Sequence, residues 1–227
     1  MFAIKKQIPN LFTLGNLSCG VLAILNIFNE QYQVAAYLVL LAAVLDFFDG
    51  FLARLLKVSG ELGKQLDSLS DLVTFGVAPS FLLYALSYNV EGNARYAFIL
   101  LAVFSSYRLA KFNIDTRQTS TFIGVPTPIT GITCMSWAFI DNSVSDFIFG
   151  NTWAFVAYCL IVSLLLVSEI PMPSLKIKKG PVANYYQHLF LLLVGLLSLL
   201  AFGWFCVPIL YTTYVLSSIL INFAAKK

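Results

Sequence analysis

Residues 46–54 read Asp46-Phe47-Phe48-Asp49-Gly50-Phe51-Leu52-Ala53-Arg54; eight residues then lead to Gly63, three to Asp67 and three more to Asp71. Asp46, Asp49, Glu61, Asp67 and Asp71 are five of the chain's eleven acids. They interrupt apolar sequence, because residues 34–45 and 72–86 carry no charge. An ionised aspartate near the middle of a membrane helix costs about 2.5–3.5 kcal/mol, less toward the interface, so four together need a positive counterpart. At 100° per residue, Asp46, Asp49, Gly50 and Ala53 share an arc of about 100°. Gly63, Asp67, Ser70, Asp71 and Thr74 share a similar sector of the next helix. Both faces join carboxylates to small residues, which let membrane helices approach closely. The expected result is a helical pair holding four carboxylates around one space. Helix caps or interfacial ion pairs explain a single such acid but not four on two facing arcs. Hard divalent cations, Mg²⁺ or Mn²⁺, suit an all-carboxylate set, and two such ions suit phosphoryl chemistry.

The surrounding composition sets the class. Of 227 residues, 59% are hydrophobic and 11% charged, against roughly a quarter charged in soluble domains. This excludes a soluble globular enzyme, a disordered chain and a protein with a broad basic face for nucleic acid. Runs long enough for a bilayer, about 20 residues each, fall near 11–29, 33–53, 66–88, 95–113, 124–141, 149–170, 186–204 and 206–224. Gly203 and Pro208 mark the turn between the last two. With eight crossings, every Lys and Arg except Arg95 lies on one side: Lys5, Lys6, Arg54, Lys57, Lys64, Arg108, Lys111, Arg117, Lys176, Lys178, Lys179, Lys226 and Lys227. The positive-inside rule then places both termini in the cytoplasm. The sequence predicts an all-α, polytopic membrane protein with one domain over 1–227. It divides into a cytoplasmic or interfacial segment at 1–10, a motif-bearing part at 11–175 and a C-terminal helical hairpin at 186–224. Cys19, Cys134, Cys159 and Cys206 match no zinc or redox spacing and read as small apolar helix residues.

The spacing of residues 46–71 matches, without a gap, the D-x2-D-G-x2-A-R-x8-G-x3-D-x3-D signature of the CDP-alcohol phosphotransferase family, and the chain is identified as resembling that family. Residues 8–16, Ile-Pro-Asn-Leu-Phe-Thr-Leu-Gly-Asn, resemble its integral-membrane bacterial branch that uses serine. So do residues 66–79, 108–113 and 122–128. The resemblance covers about 5–175. It implies transfer of a phosphatidyl group from CDP-diacylglycerol to L-serine, with CMP released. It also implies a homodimer in the inner membrane, with the site open to the cytoplasm. By motif position, Asp46, Asp49, Asp67 and Asp71 are the expected metal carboxylates, and Asp71 the expected general base. Gly50, Ala53, Arg54 and Gly63 are expected to border CDP-diacylglycerol.

Other polar residues complete the expected site. Arg108 and Lys111, three apart on one helical face, are expected to bind phosphate or the serine carboxylate. Asn10 and Thr13 are expected either to border the nucleotide or to cap the first helix. Pro126, Thr127 and Pro128 are expected to shape the start of a helix. His188 reads as interfacial, and Lys176, Lys178 and Lys179 as contacts to anionic lipid. Glycerol 3-phosphate or inositol phosphate are alternative acceptors. A divalent-cation transporter is the alternative class, but it would carry acids along the whole membrane depth, whereas here they gather at one side.

Overall fold

The computed structural model describes residues 2–58, 60–115, 122–172 and 183–225. Arg117, Lys176, Lys178, Lys179, Lys226 and Lys227 lie outside the described residues, as do the side chains of Lys5, Lys6 and His188. The described residues are almost wholly helical. In order they form α1 (Phe2–Phe28), α2 (Tyr32–Leu55), α3 (Glu61–Asp71), a π-helical segment (Leu72–Val77) and α4 (Ala78–Leu86). A 3-10 turn (Gly92–Phe98) leads into α5 (Ile99–Ile114), followed by α6 (Thr127–Ser136), α7 (Asn142–Phe149) and α8 (Thr152–Val167). The C-terminal pair is α9 (Ala183–Phe202) and α10 (Cys206–Ala225). Strands of two residues, β1 (Phe122–Ile123) and β2 (Pro171–Met172), pair antiparallel over the end of α5.

The packing is that of a protein in an apolar solvent. Where α1 meets α2, most of the buried residues are small, Cys19, Ala23, Ala35, Ala36 and Ala42, with Ile27 and Val39 beside them. The outward faces of the same helices carry Val21, Leu22, Leu25, Val34, Leu41 and Val44. Small inside and large outside suits helices that associate by close contact while lipid covers the rest. Among the described residues, five stretches are long and apolar enough to cross a membrane: Gln7–Phe28, Tyr32–Leu55, Glu61–Leu86, Gly92–Ile114 and Phe190–Phe223. A sixth is the pair Ser143–Phe149 and Thr152–Val167, bent by 81°.

Three features add detail to the sequence expectation. Residues 2–10 belong to α1, which runs on through Pro9. The expected crossing at 124–141 contains a helix of only ten residues, α6, extended by a 3-10 turn at Trp137–Phe139. α6 lies inside the bundle, with Thr130, Gly131, Cys134 and Met135 buried. The 34-residue stretch Phe190–Phe223 is broken at Gly203, where φ is +55°. A Cβ on Gly195 would meet Leu210 at 3.2 Å, although fifteen residues of straight helix span about 22 Å. α9 and α10 therefore fold back as a hairpin, with the turn at Gly203–Phe205 and Pro208 just inside α10.

The π segment is held from two sides by glycines. A Cβ on Gly20 of α1 would come within 3.0 Å of the Thr74 Cα, and one on Gly131 of α6 within 2.6 Å of the Phe75 carbonyl oxygen. Neither backbone contact can yield as a flexible side chain would. Gly131→Val should therefore cost about 3 kcal/mol by overpacking, lowering the detergent-solution melting temperature by roughly 6–12 °C. Gly15→Ala, whose methyl meets only the tip of Leu45 at 3.3 Å, should melt close to the parent protein. Equal melting of both variants would remove the glycine clamp from the account.

Candidate active site

α2 brings Asp46 and Asp49 to its last turns, and α3 starts after the extended Gly60. The chain reverses between them through Lys57, whose φ of +54° is left-handed. The reversal sets the acidic faces of α2 and α3 against each other. Asp46, Asp49 and Asp67 each offer a carboxylate oxygen, and these oxygens lie within 4.8 Å of one another. Asp46 also approaches Asp67 and Asp71 to hydrogen-bonding range. Asp71 stands outside the close group of three. Asp49 and Asp71 are both buried.

α1 supplies the hydrogen-bond donors. The Thr13 hydroxyl donates to Asp49 Oδ2 at 2.6 Å, and Asn16 Nδ2 donates to Asp71 Oδ1 at 3.2 Å. Thr13 and Asn16 are three apart and share one face, so a single stripe of α1 addresses acids from both partner helices. Thr74, in the π segment, donates to the Asn16 carbonyl at 3.1 Å. Asn10 and Thr13 do not cap α1, which begins at Phe2. Asn16 closes the stretch 8–16 that carries the resemblance but received no role there, because a lone asparagine in an apolar run has no spacing signature.

Beside the acids lies a cavity of about 590 Å³, within the range of small-molecule sites. Asn10, Thr13, Asp49, Gly50, Ala53, Arg54, Gly63 and Asp67 line it, which brings together all the residues expected to border the donor substrate. Gly50 leaves room for the Arg54 guanidinium, which would stand 3.4 Å from a Cβ there. Gly63 lets Asn10 Oδ1 come equally close to α3. Gln7 and Lys64 also line the cavity and had no sequence signal beyond adjacency to the motif. Lys64 donates to the Asn113 carbonyl near the end of α5, and Asn113 Nδ2 donates to Ser68 Oγ at 2.9 Å. These two bonds tie α3 to α5.

The two cations of α5 diverge. Arg108 is buried, acts electrostatically on Asp71 and donates from Nη1 to Thr127 Oγ1 at 3.0 Å. Lys111 is partly exposed and forms an ion pair with Glu169 at 3.5 Å. Both border a narrow crevice with Phe112, Ile123 and Ser168. Thr127 thus does more than shape the start of α6, since it anchors Arg108.

The donor set of Asp46, Asp49 and Asp67 is all carboxylate oxygen, with neither His nor Cys in it. That chemistry fits hard divalent cations and disfavours zinc. A cavity with glycine and alanine along one wall, cations at its rim and acids at its end can take a nucleotide pyrophosphate against the acid cluster.

Comparison with known proteins agrees with this chemistry. A family model described as CDP-alcohol phosphatidyltransferase matches residues 6–170. The chain is 34% identical over 195 residues to the CDP-diacylglycerol–serine O-phosphatidyltransferase of Helicobacter pylori, covering 84% of this chain and 80% of that protein. It is 35% identical over 172 residues to the Bacillus subtilis protein of the same name, covering 75% of this chain and 92% of that one. It is also 32% identical over 169 residues to an archaetidylserine synthase of Methanothermobacter thermautotrophicus, covering 73% and 69% respectively.

Proposed function

The chain belongs to the CDP-alcohol phosphatidyltransferase family, and from that premise we propose that it makes phosphatidylserine and CMP from CDP-diacylglycerol and L-serine. The observation that carries this reading is the group of three carboxylates within 4.8 Å beside a cavity lined by Gly50, Ala53, Arg54 and Gly63. The similarity to proteins named for serine transfer selects serine among the acceptors.

In this reading the nucleotide lies against Gly50 and Ala53, where the absence of larger side chains permits close approach. Asn10 and Thr13 border it, and Arg54 and Lys64 attract its pyrophosphate. Asp46, Asp49 and Asp67, with Asp71 at their edge, hold two divalent cations, Mg²⁺ or Mn²⁺. When bound, these cations neutralise charge on the pyrophosphate and on the departing phosphate. Asp71 takes the proton of the serine hydroxyl. The serine oxygen then bonds to the lipid-side phosphorus. The bond from that phosphorus to the bridging oxygen breaks, and CMP leaves with the oxygen and its electron pair. Arg108 binds the serine carboxylate, held in position by Thr127. Lys111, paired with Glu169, serves the rim.

We further propose that the chain makes eight crossings, with both termini and the cavity facing the cytoplasm of the inner membrane. The one-sided distribution of basic residues supports this topology. The enzyme acts as a homodimer, as its family resemblance implies. A transporter reading accounts for neither the small-residue wall nor Arg54.

The test is CMP release by purified protein in detergent, given CDP-diacylglycerol, Mg²⁺ or Mn²⁺, and one acceptor at a time. The expected result is CMP only with serine and metal together, and phosphatidylserine as the lipid product. Turnover with glycerol 3-phosphate or inositol phosphate in place of serine would retain the family chemistry and replace the acceptor.

A further inference from the structure

Among the described residues, six buried side-chain nitrogen or oxygen atoms have no hydrogen-bond partner: Asn16 Oδ1, Ser70 Oγ, Arg95 Nε, Ser105 Oγ, Arg108 Nε and Ser163 Oγ. A helical serine hydroxyl can turn to the carbonyl one turn back, so the three serines carry little information. Arg95 belongs elsewhere, bonded to the Tyr84 carbonyl at the end of α4. Asn16 Oδ1 and Arg108 Nε remain, and both residues address Asp71.

The orientation of Asn16 is fixed by chemistry. A carboxylate only accepts, so the nitrogen of the amide must face Asp71 and the oxygen must face away. Asn16 is fully buried, and a buried carbonyl oxygen without a donor costs about 1–3 kcal/mol. Arg108 presents the opposite deficit, a donor without an acceptor, while Thr127 holds its other end. An unfilled acceptor and an unfilled donor thus belong to two residues that act on one carboxylate, Asn16 by a hydrogen bond and Arg108 by its charge. A zwitterionic hydroxy amino acid satisfies all three groups at once: its ammonium donates, its carboxylate accepts, and its hydroxyl meets Asp71. A phosphorylated polyol offers no ammonium for the acceptor.

Building on the serine reading above, we infer that Asn16 is a specificity residue of the acceptor site, its Oδ1 receiving the ammonium of the amino acid while its Nδ2 holds Asp71. The partner it recognises is a primary ammonium adjacent to a carboxylate. Its role is separable from that of Arg108, which reads the carboxylate.

The test compares L-serine with 3-hydroxypropanoate, which has the same hydroxyl and carboxylate but no ammonium and is measured as a competitor of serine. Asn16→Leu should raise the KM for serine about 30-fold, the scale of one hydrogen bond to a charged group. The inhibition constant of 3-hydroxypropanoate and the KM for CDP-diacylglycerol should each stay within roughly threefold, because neither ligand carries the group being read. Equal weakening of serine and 3-hydroxypropanoate, or an unchanged serine KM, would overturn the inference. Asn16→Asp keeps the size and an acceptor oxygen, and covers the case in which the leucine variant does not fold. It should retain the serine KM while turnover falls, and weakened serine binding in it would equally overturn the assignment. Failure of the underlying reading looks different, since the unmodified protein would then release CMP with another acceptor and not with serine.

Discussion

Asp67→Ala is expected to lower serine-dependent CMP release by about 10³-fold or more. Divalent-metal stabilisation of a phosphoryl transfer is worth several kcal/mol, and each 1.36 kcal/mol is about tenfold in rate. Asp67 is the member of the close group that comes from α3, where it meets Asp46 and Asp49 of α2. Its removal leaves two acids on a single helix and opens one side of the cation site. Chelation of the unmodified protein by EDTA should abolish activity, and Mg²⁺ or Mn²⁺ should restore it. Zinc should restore little, because the donors are all carboxylate oxygens. Asp141→Ala serves as the control. Asp141 caps α7 by accepting from the Ser143 backbone at 2.9 Å, and should cost about 1 kcal/mol of stability or less with near-normal turnover. Direct binding of Mn²⁺, followed by its paramagnetic resonance signal, should weaken in Asp67→Ala and persist in the control. Full activity of Asp67→Ala in metal-free buffer would refute the metal site.

Asp71→Asn is expected to lower kcat by about 10²- to 10⁴-fold, the usual range for losing a positioned base, while Mn²⁺ binding is largely retained. The split follows from geometry. Asp71 lies outside the group of three close carboxylates, and one of its oxygens is already engaged by Asn16. The replacement keeps an oxygen that can accept from Asn16, so the local shape survives and only the capacity to take a proton is lost. The KM for CDP-diacylglycerol should change little, because Asp71 does not line the nucleotide cavity. Near-normal turnover with metal bound would exclude Asp71 as the base. Complete loss of Mn²⁺ binding would instead make it primarily a metal ligand.

The acids show how far a sequence can be read. Asp46 and Asp49 are three apart and Asp67 and Asp71 four apart, so helical periodicity alone puts each pair on one face. The small residues at positions 50, 53 and 63 announce a close approach. These are local quantities; Asp49, Gly50, Ala53, Gly63 and Asp67 line the cavity, whereas Asp46 and Asp71 do not. The brevity of α6 was less legible, because hydropathy averaged over 124–141 does not show where a helix stops. Nor does composition announce the π segment. It sits where Gly20, Gly76 and Gly131 permit three neighbouring elements to close in.

The sequence by itself determined the apolar helical class, the acidic pair of helices and the chemistry their spacing allows, since each rests on residues within a turn or two of one another. The tertiary structure alone decided which donors serve those acids. Thr13 reaches Asp49 across 36 residues, Asn16 reaches Asp71 across 55, and Arg108 finds Thr127 across 19. Such bonds depend on how helices cross and where a chain turns, and helical periodicity carries no record of either. That Asp71 approaches Asp46 yet lies outside the group Asp46 forms with Asp49 and Asp67 is decided only once α2 and α3 are packed together.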